Sequence, residues 1–260
     1  MKISIITVCY NSEKYLEQAI LSVLNQNWPE LEYIIIDGGS TDSTVSIIKK
    51  YETKLACWIS EPDRGISHAF NKGLQKTTGD WIGILNSDDY YENNAFQNLT
   101  PILSNCREDI VIGRMNFVSF EQNQLIKQAK PFFDPLKPDT FLFPHPSAFV
   151  RRSCYEKIGP YNESYRLAMD TDFFLRCIKQ NILPRFLEYP LTNQRTGGRS
   201  NFHRVRSLLE KFRSLHENGF HSIPIYSRMT WEIIFSSVKI AGSRLKKMLG
   251  LSQGPDLKNY

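Results

Sequence analysis

The sequence predicts an α/β fold: a Rossmann-like, mostly parallel central sheet flanked by helices, with a helical C-terminal extension. Two observations carry that expectation. In the first ninety residues, short β-branched apolar runs alternate three times with runs of helical spacing, the pattern of crossover units that lay parallel strands side by side. At the end of each apolar run stands a polar or glycine-containing cluster, and in such sheets ligands bind at the carboxyl ends of the strands. A chain of 260 residues suffices for one large domain with an appendage, and the expected division is a main domain over 1–200 and a basic helical extension over 201–260.

Ile3–Cys9 is a nearly continuous strand-type run, and Tyr10-Asn11-Ser12 follows as a turn, with Ser12 the expected N-cap of the next helix. Leu16, Ala19, Ile20 and Val23 recur at helical spacing. A second strand is expected at Leu31–Asp37 around Ile34-Ile35-Ile36, then the loop Gly38-Gly39-Ser40-Thr41-Asp42, then a helix bearing Val45, Ile47, Ile48 and Tyr51. Residues 56–60 predict a third strand and 66–75 a helix. Gly79-Asp80 turns the chain into a fourth strand over 81–85, which stops abruptly at Asn86-Ser87-Asp88-Asp89. Beyond it the pattern is less regular. Residues 109–120 and 124–128 predict a hairpin and 141–150 an apolar loop and strand, while Phe173, Phe174, Cys177 and Ile178 give a helix its apolar face. Asp170 and Asp172 fall in the first turn of that helix, where its dipole favours negative charge. Within 225–251, Trp231, Ile234, Phe235, Val238, Leu245 and Leu249 recur near helical spacing among Lys239, Arg244, Lys246 and Lys247. A basic amphipathic helix of this kind can lie on an anionic membrane or pack onto protein, including a second subunit.

The net charge of +5 is unevenly spread: residues 193–260 carry 12 Lys and Arg against 4 Asp and Glu. Such a tail can face nucleic acid, an anionic membrane or a phosphate-bearing substrate. Five scattered cysteines show neither a Cys-x-x-Cys pair nor metal-site spacing, which suits reduced thiols. The start of the chain runs straight into a strand pattern with no signal-peptide character and no apolar run is long enough to span a bilayer, so a cytoplasmic protein is expected. No dinucleotide fingerprint follows the first strand, and neither a P-loop nor a His-Glu-x-x-His motif occurs, which disfavours nicotinamide enzymes, P-loop NTPases and zinc hydrolases.

Two adjacent carboxylates at a strand tip repel each other and contribute nothing to packing, so positive charge should sit at Asp88-Asp89. A divalent cation, magnesium or manganese, is the obvious candidate, and Asp89 is expected to be exposed in a cleft. A solvated acidic loop is the plainer alternative.

The order of motifs resembles the inverting family 2 glycosyltransferases of the GT-A fold, in their bacterial polysaccharide-assembly form. The segments that carry the resemblance are SIITVCYN (4–11), IIIDGGSTDST (34–44), SEPDRGISHAFNKG (60–73), GDWIGILNSDD (79–89), FPHPSAFVRR (143–152) and AMDTDFFLR (168–176). It covers roughly residues 3–200, making 1–200 a nucleotide-sugar-binding and catalytic unit, and it implies an enzyme of the hexosyltransferase class. The implied donor is a UDP, GDP or dTDP sugar and the implied acceptor a saccharide, free or lipid-linked. The basic tail is then expected to meet no nucleic acid. Attachment to the inner face of the cytoplasmic membrane is expected instead, with a homodimer as a further possibility for the tail helix.

Carried over by position, the resemblance implies that Thr7, Tyr10 and Asn11 line the base and ribose and that Asp37 accepts a hydrogen bond from the base, with Ser40 beside it. Asp63 and Arg64 would approach the nucleotide, Asn86, Ser87 and Asp88 would line the ribose side, and Asp88 and Asp89 would hold the cation that bridges the two phosphates. Asn86 stands where many members carry a third aspartate. Asp170 aligns with the family's base, and Met169 replaces the acid that commonly precedes it; Asp172 is the second candidate base. His145 is a candidate acceptor or metal-side contact, and Gly197-Gly198 a candidate lid hinge bringing Arg195 or Arg199 to phosphate. A sugar nucleotidyltransferase would show a glycine-rich, Arg- and Lys-bearing loop after the first strand, where this chain has VCYNSEKY. A non-catalytic nucleotide-sugar binder would have lost the acids at 88, 89 and 170, all present here.

Overall fold

In the computed structural model, residues 1–119, 123–134, 137–196 and 204–248 are described. The first four strands are β1 (Ile3–Cys9), β2 (Leu31–Asp37), β3 (Cys57–Ser60) and β4 (Trp81–Asn86), and they run parallel in the order β3-β2-β1-β4. Between them lie α1 (Leu16–Leu24), α2 (Thr44–Lys50) and α3 (Ile66–Leu74). Period-two alternation splits the strands between two cores. Ile3, Ile5, Tyr33, Ile35, Trp81 and Leu85 face one side with α1, and Ile6, Val8, Ile34, Ile36, Ile82 and Ile84 face the other with Phe70 of α3. Each fully buried side chain of this size contributes about 1.5–3 kcal/mol. Helix α3 lies so close to β1 that a β-carbon on Gly73 would stand 2.5 Å from Ile6 Cγ2, which only glycine avoids.

The second half extends the sheet with mixed direction. β5 (Tyr90–Tyr91), β6 (Ile110–Val118), β7 (Leu125–Ala129), β8 (Ala148–Arg151) and β9 (Arg185–Arg195) complete the order β3-β2-β1-β4-β8-β6-β9-β5, with β7 paired to β6 as the expected hairpin. β8 runs antiparallel to β4, pairing Gly83 with Phe149 and Trp81 with Arg151. That register places the turn before β8, with His145, at the carboxyl end of β4.

Three elements had no legible signal. β9 carries Pro190, which cannot donate to a ladder, and its register against β6 shifts where Arg114 meets that proline. The helix α4 (Ala95–Asn105) contains Pro101 and starts from Asn94 in the left-handed region, and the short α5 (Arg152–Ile158) has only Cys154 and Tyr155 buried. α6 (Met169–Lys179) follows as expected. α7 (Arg204–Glu217) and α8 (Ile223–Met248) form the extension, and Leu215, Ile225 and Met229 pack with Leu175 of α6 in a small third core.

Candidate functional site

The loops after the four parallel strands converge on one edge of the sheet. Tyr10 leaves β1 with its side chain half exposed, at 49 %. Asn11 takes a left-handed backbone (φ 49), a conformation its short polar side chain tolerates, and links two loops. Its N–H donates to Ser40 Oγ at 2.8 Å and its Oδ1 accepts the Thr41 N–H at 2.9 Å. Ser12 does not cap α1: its hydroxyl pairs with Ser87 Oγ at 2.9 Å, and Tyr15 holds the N-cap position without a side-chain bond. The loop after β4 offers Ser12 a partner that a helix-only reading does not contain.

Three residues assigned to the nucleotide have partners within the protein. Thr7 is buried on the inner face of β1, where its hydroxyl meets Tyr33 OH at 3.0 Å. Asp37 is fully buried and its acceptors are occupied: Oδ2 takes the Gly39 and Ser40 N–H groups at 3.2 and 3.0 Å and Ser60 Oγ at 2.6 Å, while Oδ1 takes Ser40 Oγ. It shapes the glycine loop. Arg64 turns to Glu163, at 2.8 Å. Asp63 remains at the mouth, folded onto the Gly65 N–H at 2.7 Å. A β-carbon on Gly38 would stand 2.6 Å from Asp63 Oδ2 and 3.4 Å from the Tyr10 ring, so glycine lets these side chains close on the loop.

Asp88 and Asp89 stand at the end of β4. Asp89 is not exposed as expected: it is 1 % accessible. Its Oδ2 accepts Asn86 Nδ2 at 2.9 Å and its Oδ1 the Arg195 N–H at 3.2 Å. Burial, reinforced by the charge of Asp88, pushes the Asp89 carboxyl well above the usual range. Burial also pushes Asp88 up, and Arg195 opposes it.

The positive charge expected beside the pair is present as a side chain. Arg195 is only 2 % exposed and donates from Nη1 to the Asp88 carbonyl and from Nη2 to Gln18 Oε1 and, at 3.1 Å, Asn123 Oδ1. Its guanidinium lies over the rings of Tyr15 and Tyr90, at 4.2 and 5.0 Å. Arg195 is therefore a buried brace under the acids and not a lid residue; Gly197, Gly198 and Arg199 lie outside the described residues. Its faint signal in sequence was the period-two series Leu191, Asn193, Arg195. Among the described residues no cluster of three or more His, Cys, Asp or Glu could enclose a metal ion. Two carboxylates completed by substrate phosphates are nonetheless a usual magnesium donor set, and the adjacent acids at the tip of β4 fit a dication in that way.

His145 is buried, and its Nε2 meets Tyr161 OH at 3.0 Å, which in turn meets Tyr155 OH at 3.0 Å. Burial lowers its basicity and the charge of Asp170 opposes that shift. It belongs to an aromatic packing unit with Phe70 and Phe174 rather than to an open acceptor site. Asp170 is half-buried at the start of α6, within electrostatic reach of His145. Asp172, the second candidate base, is buried with both oxygens engaged: Arg176 Nε at 2.9 Å on Oδ2, and Ser214 Oγ at 3.0 Å and Asn218 Nδ2 at 3.2 Å on Oδ1. It anchors α7 to α6.

The chain is similar to several known proteins. A PGL/p-HBAD biosynthesis glycosyltransferase of Mycobacterium bovis (strain BCG / Pasteur 1173P2) is 27 % identical over 213 residues, covering 76 % of this chain and 78 % of that one. An uncharacterized glycosyltransferase of Haemophilus influenzae is 36 % identical over 126 residues, 47 % of this chain, and the match spans half of that relative's length. The mannosyltransferase PcManGT from Pyrobaculum calidifontis, solved with GDP-Man and Mn2+, superposes with a TM-score of 0.66 at 16 % identity, covering 94 % of this chain and 75 % of that one. S. aureus TarS 1-349 with UDP-GlcNAc gives 0.66 at 19 % identity over 90 % and 72 %. These likenesses show a GT-A type fold. The profile described as Glycosyl transferase family 2 matches residues 4–167, more than half of the sequence, and the chain belongs to that family.

Proposed function

We propose that the chain is a metal-dependent inverting glycosyltransferase that moves a sugar from a nucleotide-sugar donor to a hydroxyl of a saccharide acceptor in surface polysaccharide assembly. The observation that carries the reading is the Asp88-Asp89 pair at the tip of β4, Asp89 buried and Asp88 partly so, where the loops after β1, β2 and β3 converge. Tyr10, Asp63 and the Ser40 loop would line the nucleotide side, and Asp88 and Asp89 would hold a divalent cation, whose charge would stabilise the departing diphosphate. Asp170 accepts the proton of the attacking hydroxyl as the new bond to the anomeric carbon forms. A single in-line displacement inverts that carbon and needs no nucleophile from the protein. The bound UDP-GlcNAc and GDP-Man of the structural neighbours support a nucleotide-sugar donor, and the Mn2+ complex supports the cation.

Calorimetric titration with UDP, GDP and dTDP, with and without manganese, tests this. One nucleotide is expected to bind with manganese-dependent affinity, and Asp89→Asn to remove that dependence and lower turnover about a hundredfold. Binding that is indifferent both to manganese and to the substitution sinks the metal assignment.

The reading extends to a lipid-linked acceptor reached from the cytoplasmic face of a membrane. Trp231, Ile234, Phe235 and Val238 form an exposed apolar stripe on α8, and the surrounding tail is strongly basic. No helix among the described residues is long and apolar enough to cross a membrane, so the stripe would lie in the interface. The protein is expected to float with anionic liposomes, less so at high salt, each cation contributing about 1 kcal/mol near the surface. The Trp231→Glu, Phe235→Glu double variant should stay behind. Flotation unaffected by both salt and substitution overturns the membrane assignment, and a wild-type dimer that the same double variant dissociates assigns the stripe to a second copy.

A further inference from the structure

The segment that carries Asp170 is held from α7. One oxygen of Glu210, Oε2, accepts three successive backbone N–H groups, those of Arg166 at 2.9 Å, Leu167 at 2.7 Å and Ala168 at 3.2 Å. Consecutive amides converging on an anion form a strong cradle, and here a carboxylate from the extension fills it. The start of α6 has no side-chain cap of its own, so this carboxylate is what organises the turn into the helix. On the other side of Asp170, Asp172 is gripped by Ser214 and Asn218, and Tyr165 OH donates to Glu217 Oε2 at 2.6 Å.

We propose that α7 is a working part of the catalytic centre, with Glu210 as a positioning residue that fixes the backbone leading into Asp170. The inference rests on the reading of Asp170 as the base. A displacement of about 1 Å at a reacting group costs on the order of a hundredfold in rate, so a clamp on the preceding three amides has direct kinetic leverage.

The test is donor turnover, read as nucleoside diphosphate released from the nucleotide sugar selected by titration, with a monosaccharide panel as acceptor. Glu210→Gln keeps an acceptor but not the charge and is expected to lower kcat about tenfold with nucleotide affinity unchanged. Loss of thermal stability with unchanged kcat per folded molecule makes α7 merely structural and overturns the proposal. Asp170→Asn, run in parallel, separates the two readings. If it stays active the base assignment fails; if it is inactive while Glu210→Gln matches wild type, only the positioning role fails.

Discussion

Asp170→Asn is expected to lower sugar transfer by two to four orders of magnitude while nucleotide affinity stays within about twofold, the scale for removing a general base. The asparagine is isosteric but cannot take the hydroxyl proton. Asp170 opens α6 beside the buried His145–Tyr161–Tyr155 chain, with no ion pair closer than 4.0 Å among the described residues. Asp172 differs by two positions and by almost everything else. Its carboxylate is an ion-pair and hydrogen-bond anchor for Arg176, Ser214 and Asn218. Asp172→Asn should therefore cost about 2 kcal/mol of stability, read by urea denaturation, with kcat per folded molecule little changed. If instead Asp172→Asn abolishes transfer and Asp170→Asn does not, the base is Asp172.

Arg195→Met is expected to destabilise the fold by about 3–5 kcal/mol and to abolish nucleotide binding at the Asp88-Asp89 tip. Removing one partner from a buried charge cluster leaves the others uncompensated, which is far more damaging than losing a surface pair. Methionine preserves much of the volume between Tyr15 and Tyr90 but supplies none of the bonds to the Asp88 carbonyl, Gln18 and Asn123. Those bonds tie β9 to α1 and to the end of β4, so the acids lose both their counter-charge and their support. Adding Asp89→Asn to Arg195→Met should recover at least about 1 kcal/mol, because the two side chains share one environment and their effects do not add. A single variant as stable as wild type, or a double variant whose loss is the plain sum, contradicts the brace.

What the sequence determined by itself is the parallel half of the sheet. Ile3–Cys9 and Leu31–Asp37 have the same bounds in sequence and structure, because β-branched residues buried on both faces leave no alternative period and each run ends in residues that cannot be buried alone. The carboxylate tip at Asp88-Asp89 and the apolar face of α6 were legible for the same reason: local pattern and abrupt change of polarity carry them.

What only the tertiary structure decided is where polar side chains point and what they meet. Thr7 and Asp37 belong to the motifs that matched, yet strand alternation turns Thr7 inward to Tyr33, and the Gly39 and Ser40 amides with Ser60 close around Asp37. β9 was hidden by Pro190, whose missing donor is tolerated because the register shifts there, and with β9 hidden the burial of Arg195 under the acids could not be read. The clamp of α7 on α6 was hidden too, since Glu210 and Arg166 are 44 positions apart. A buried charge is stable only through partners that arrive from distant parts of the chain, and that pairing leaves no periodic trace in the segments that supply it.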